Sequence, residues 1–228
     1  MEGLARLIDH APLFPPASLD MPAAVAEDAR GRQSEHAWML ARFVCPASRL
    51  GELEQEMGWA DAPGLSIVLD EDVPLPSAAP VEAIEMVGPP RPGLPDVELF
   101  CEVPVDALPA VAAAGAHAKL RCGGVRVPSV EEVAAFFAAA RDLGLPFKAT
   151  AGLHHPVRTE REHGFLNFLT AAERAAAGAD EAELREVLVT TQPEALGTGS
   201  AAGRELFVSI GSCSFAEPVD DLRELGIL

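Results

Sequence analysis

Lysine is nearly absent from this chain. Against fifteen arginines there are two lysines, Lys119 and Lys148, and each lies in a short apolar run, AHAKLRCGG and PFKATAGL. Positive charge as a whole is scarce: the formal net charge is -18, which argues against nucleic acid and against anionic membrane surfaces as partners. No stretch approaches the ~18 apolar residues needed to span a bilayer. The opening residues MEGLARLIDHAPLFPP lack the basic, apolar and small-residue segments of a secretory leader, so the expected location is the cytoplasm. Cysteine is sparse and unpaired in pattern. Cys45, Cys101, Cys122 and Cys213 form no C-x-x-C motif and read as reduced, partly buried thiols. The histidines form no H-x-x-x-H or H-x-H pair, so a zinc site is disfavoured.

What is present is a regular alternation. Eight short apolar runs recur: LARLIDHA, MLARFVCP, GLSIVLD, VEAIEMV, DVELFCEVP, AHAKLRCGG, PFKATAGL and ELFVSIGS. Most are followed by an amphipathic segment with helix start and stop signals. The clearest is SVEEVAAFFAAARDLG, where Ser129 and Glu132 form a capping box and Gly144 closes the helix. A helix is also expected from Asp20 to Gly31, and another over DEAELREVLVTTQPEAL; GTGSAAG at 197–203 reads as a flexible loop. The order predicts a single α/β domain over 1–228, an irregular (β/α)8 TIM-like barrel. Residues 71–80 and 88–96 are Pro-rich and too short for crossover helices, so the barrel should be irregular there. That side could expose apolar surface to a second copy, and a homo-oligomer is a possible state.

Strand alternation locates the lysines. In HAKLRC, Lys119 and Arg121 share a face; in FKATAG, Lys148 and Thr150 do. The opposite faces are apolar and suit helix packing, so both lysines should point into the barrel from neighbouring strands, toward the C-terminal ends where barrel sites form. The same parity gives Asp9, Asp70, Glu85 and Glu102 as inward acids. A buried ammonium needs an anion or must lose its proton. One reading is therefore a structural ion-pair network. The favoured reading makes Lys148 a nucleophilic amine that forms a Schiff base with a carbonyl compound, Lys119 and Arg121 its cationic neighbours, and Glu102 or Asp70 a proton shuttle.

His154 and His155, in the loop after Lys148, are read as general acid or base groups at the mouth. SIGSCSFAEP places Gly211, Ser212 and Ser214 before the last helix, where a phosphate or carboxylate can bind; with Glu217, Ser214 also fits a capping turn. Thr150 completes the expected anion-binding set.

AKLRCGG, PFKATAGLHHP, HGFLN and SIGSCSFAEPVDDLRELG together resemble a family of uncharacterised bacterial proteins, a resemblance that implies membership but no reaction. More locally, FKATAG is similar to the Schiff-base strand of class I aldolases of the deoxyribose-phosphate type, and AKLRCGG to their second-lysine strand. This resemblance implies a barrel with paired lysines and aldolase chemistry, although the two strands occur here in the opposite sequential order. The expectation is a carbon-carbon lyase acting on a small anionic carbonyl or phosphorylated compound without a cofactor. Two alternatives stand. Asp70, Glu85 and Glu102, on successive strands, could hold Mg2+ for enolase-like lyase or isomerase chemistry. A barrel that binds a small anion without turnover is the other.

Overall fold

Each apolar run becomes a strand, and the strands close on themselves. The computed structural model describes residues 2–228, in which β1 (Ile8–His10), β2 (Leu40–Pro46), β3 (Leu65–Val68), β4 (Val81–Val87), β5 (Glu98–Glu102), β6 (His117–Arg121), β7 (Phe147–Thr150) and β8 (Phe207–Ser212) pair in sequence order. All the pairings are parallel, and β8 returns to β1 through Ile8 opposite Ile210. This is the expected irregular (β/α)8 barrel.

Among the described residues eight α-helices surround it: α1 (Met21–Gln33), α2 (Leu50–Met57), α3 (Leu108–Ala113), α4 (Val130–Asp142), α5 (Phe165–Ala176), α6 (Glu181–Val189), α7 (Ala201–Leu206) and α8 (Ala216–Glu224). They are unevenly shared. The crossovers from β3 to β4 and from β4 to β5 carry none, as their proline content requires, whereas the β7–β8 crossover carries α5, α6 and α7.

Local signals set several helix starts. Asp20 caps α1 by accepting from the Ala23 N–H at 2.9 Å, and Ser129 with Glu132 forms the capping box of α4. Three expectations need correction. The first helix passes Gly31 and ends at Gln33, because Gly31 is a packing position: a Cβ there would lie 2.8 Å from the Phe215 ring. The segment from Asp180 is helical only to Val189: Thr190 turns to extended backbone, and the Asn167 side-chain amide of α5 donates to the Val187 and Thr190 carbonyls, both at 2.8 Å. Within GTGSAAG, α7 forms, because the Ser200 Oγ accepts from the Gly203 N–H.

The apolar faces of the strands pack outward. Phe147 and Phe207 meet Phe137 of α4 and Phe168 of α5, with ring centroids 4.9–6.4 Å apart. A second cluster joins Phe43, Cys45, Leu65 and Ile67 to α1 and α2. All four cysteines are free and buried, and burial raises each thiol pKa. Among the described residues no helix is long and apolar enough to cross a membrane.

Two substitutions test this packing by thermal and urea unfolding. Phe137→Ala is expected to cost about 3–5 kcal/mol. Gly203→Ala, which in an ordinary helix would gain about 1 kcal/mol, is expected to lower the melting temperature, because its Cβ would meet the Glu173 backbone nitrogen at 2.9 Å.

Candidate functional site

With most apolar residues turned outward, the lower barrel interior is dominated by charge, with the Phe100 ring set among it, 5.4 Å from the Lys148 ammonium and 5.9 Å from the Arg42 guanidinium. Lys119 and Lys148 are direct register partners on β6 and β7, and both face inward as the parity requires. Lys148, 0% exposed, donates to Asp9 Oδ2 at 2.5 Å and to Glu85 Oε1 at 2.6 Å. Ser209 donates to the same Asp9 oxygen at 2.7 Å and Ser66 to the same Glu85 oxygen at 2.8 Å. Glu85 Oε2 lies 3.4 Å from Lys119, whose ammonium is also 3.2 Å from Glu102, and Arg121 donates to Glu102 at 2.8 Å. Below Asp9 the chain continues through Arg42, 3.8 Å away, to Glu98.

The result is a line of alternating sign: Glu98, Arg42, Asp9, Lys148, Glu85, Lys119, Glu102, Arg121. Burial works against the charge on Lys148, but Asp9 and Glu85 outweigh it and raise its pKa. Burial likewise works against the Glu85 carboxylate, and the two lysines outweigh it, holding its pKa down at about 2. The Glu102 carboxyl is also lowered, by Arg121 and Lys119 against burial.

Above this network opens a cavity of about 650 Å3, at the C-terminal ends of the strands where barrel sites are built. Glu85, Lys119, Arg121, Thr150 and Gly211 form part of its wall; Lys148 does not. The backbone is drawn tight around it. Ala151 holds φ 60° and Gly152 φ 65°, and a Cβ on Gly152 would sit 2.7 Å from the Cys122 carbonyl oxygen. A non-glycine residue in the left-handed region is a local strain, here immediately after β7.

The β7–α5 loop adds the histidines. The His155 Nδ1 pairs with Asp221 of α8 at 2.7 Å; that hydrogen bond raises the imidazole pKa against partial burial. His154 Nδ1 lies 3.6 Å from Glu217 and 3.8 Å from the Cys213 sulfur. Both imidazoles line the cavity, as does Arg161. His163 turns away, its Nε2 on the Pro128 carbonyl and its Nδ1 facing Arg158, both at 2.9 Å; burial lowers its pKa, and it ties down the loop as a neutral ring.

No protein-family model matches the chain, and no curated protein matches it. The site therefore has to be read from its own chemistry.

The expected site residues separate into those that converge and those that do not. Lys119, Arg121, Glu85, Glu102, Lys148 and Asp9 share one network; His154, His155, Thr150 and Gly211 border the cavity. Asp70 stands apart. It follows β3 in an exposed loop, where its carboxylate takes hydrogen bonds from the Ser48 N–H at 3.0 Å and hydroxyl at 2.5 Å. Glu85, meanwhile, is saturated by two lysines and a serine. Asp70, Glu85 and Glu102 thus form no shared oxygen cage, and among the described residues no group of three or more His, Cys, Asp or Glu is arranged to hold a metal ion. Ser212 is buried and donates to the Ser214 carbonyl at 2.7 Å, while the Ser214 hydroxyl accepts from the Glu217 N–H at 3.2 Å. These serines build the capping turn, and Gly211 alone of the three borders the cavity.

Several members are additional to the expected set. Ser66 and Ser209 are small polar residues at inward positions of apolar strands, a signal alternation could have found. Asp221 could not be found that way, being 66 residues from His155.

The network makes two expectations. Lys148→Met leaves two buried carboxylates without their cation, and should lose about 3–5 kcal/mol in urea unfolding at pH 7. Glu85 has its pKa lowered on folding, so its contribution is present above the unfolded value near 4.5 and is lost as pH falls toward about 2. Wild-type stability should therefore decline over that window, and the decline should be shallower in Lys148→Met. In the second case, Asp221→Asn should lower the His155 pKa toward its ordinary value, read by NMR titration of the imidazole; an unmoved titration would contradict the pairing.

Proposed function

We propose that this barrel is a carbon-carbon lyase of aldolase type acting on a small anionic carbonyl compound, with Lys119, rather than Lys148, as the amine that meets the substrate. The single observation that supports this is that Lys119 is the amine bordering the cavity, while Lys148, enclosed between Asp9 and Glu85, stands beside it as a fixed cation. Lys119 also has Glu85 at 3.4 Å and Glu102 at 3.2 Å, carboxylates close enough to take its proton, and the free amine is the form that attacks a carbonyl. This assignment departs from the motif resemblance, in which FKATAG, the strand of Lys148, is the one similar to the Schiff-base strand, while it restores the sequential order. The attacking lysine now comes from the earlier strand and its cationic neighbour from the later one.

The chemistry follows from the groups at hand. Lys119 passes a proton to Glu102 or Glu85 and its nitrogen adds to the carbonyl carbon; loss of water leaves an iminium ion. That cationic nitrogen accepts the electron pair of the adjacent carbon-carbon bond as it breaks, while a base removes the proton from the hydroxyl that becomes the released carbonyl. His155, oriented by Asp221, serves as this base and returns the proton to the enamine carbon. Water then releases the product and regenerates the amine. Arg121 and Arg161 supply positive charge for the anionic group of the substrate. An apolar core would stabilise the barrel about as well as a buried ionic network. The charges buried inside the barrel, Asp9, Arg42, Glu85, Lys119 and Lys148, therefore make better sense as part of a reactive site than as a stability device.

Treatment with borohydride in the presence of a panel of aldehydes and ketones, followed by peptide mass analysis, tests the reading. The expected result is a reduced adduct on the peptide containing Lys119, abolished by Lys119→Met. An adduct on Lys148 instead, or none on Lys119 with any carbonyl compound, would overturn it; tight anion binding without adduct or turnover would favour the non-catalytic barrel.

A further inference from the structure

The cavity has two unlike halves, and the network accounts for only one. The strands from β4 round to β8, with their loops, contribute its charged groups. The side formed by β1, β2 and β3 is apolar: Phe14, Pro15 and Pro16 come from the loop after β1, Val44 from β2 and Val68 from β3. Val44 and Val68 sit on the inward parity of their strands, two residues beyond Arg42 and Ser66. They face the cavity instead of the helix layer, so helix packing does not explain them.

We propose that the substrate carries, besides its carbonyl and anionic groups, an apolar substituent of branched-alkyl or aryl size that lies against the β1–β3 wall. This rests on the Lys119 reading and narrows it to amphiphilic carbonyl acids. Three features of the wall carry the argument. First, a cavity of about 650 Å3 is of the size that encloses drug-sized ligands, and a three-carbon keto acid would leave most of it to water. Second, water or sugar hydroxyls on that side would meet Phe14, Val44 and Val68 side chains, and Pro15 and Pro16 offer no backbone N–H. Hydroxyls placed there would lose hydrogen bonds without replacement, whereas an alkyl or aryl group gains by leaving water. Third, the charged side has its own polarity. Glu162 and Glu217 border the cavity near the histidines, which leaves Arg121 and Arg161 as the place for the anion and the opposite wall for the apolar end.

The test compares half-saturating concentrations for borohydride labelling of Lys119 across four probes: pyruvate, 4-methyl-2-oxopentanoate, phenylpyruvate and glyceraldehyde 3-phosphate. The two apolar keto acids should label at concentrations about tenfold below pyruvate, the scale on which hydrophobic pockets discriminate, and the phosphorylated aldehyde should do no better than pyruvate. Phe14→Ser and Val68→Thr should bring the ratio of apolar acid to pyruvate close to one, with circular dichroism melting to verify the fold. Labelling of Lys119 without preference, or with preference for the phosphorylated aldehyde, overturns this inference while leaving the Schiff base intact. Absence of labelling by every probe overturns the Lys119 reading instead, and thermal-shift titration with the same compounds then decides the wall separately: stabilisation by phenylpyruvate no greater than by pyruvate overturns it.

Discussion

The ammonium of Lys148, held between Asp9 of β1 and Glu85 of β4, is the contact on which the interior depends. It ties β7 to both β1 and β4 across the barrel interior, at 2.5 and 2.6 Å, where most barrels stack branched aliphatic side chains. Everything nearby answers to it. Ser66 and Ser209 complete the carboxylates it uses, Glu85 turns its second oxygen to Lys119, and Lys119 and Arg121 meet at Glu102. Desolvation alone would neutralise such groups. Alternation of sign opposes this at its centre, where Lys148 lies between Asp9 and Glu85 and Glu85 between the two lysines. The arrangement gives the cavity a floor of fixed charge with one amine at its edge.

Much of the fold was legible because strand parity is a strict constraint. A residue on one face of a parallel barrel strand faces either helices or interior, so Phe147 and Ala149 packing outward compels Lys148 and Thr150 inward. The proline-rich crossovers announced their missing helices in the same direct way. Helix ends were less legible where a distant contact decided them. Gly31 has the local signature of a stop, yet it serves the Phe215 ring, which arrives from the other end of the chain.

The candidate site was legible in its inventory and less so in its depth. Alternation tells which face a side chain takes but not how far up the barrel it stands. Lys119 and Lys148 are register partners, and the difference between them comes from their neighbours: two close carboxylates enclose one, and longer contacts leave the other at the cavity wall. Asp70 shows the same limit. It lies two residues beyond the end of β3, where a turn carries it to Ser48 and out of the barrel. His155 was visible as a histidine in a mouth loop, while Asp221, which orients it, belongs to a helix that no local pattern connects to it.

The central claim is that the two lysines differ in kind, one a sealed cation and the other an amine at the cavity. Reductive methylation of the native protein with formaldehyde and a borohydride, followed over time by peptide mass analysis, tests it directly, since two lysines give two separable signals. The expected result is modification of Lys119 in the folded protein and protection of Lys148 until the protein is unfolded. Methylation of Lys148 at a rate comparable to Lys119 under native conditions would contradict the account.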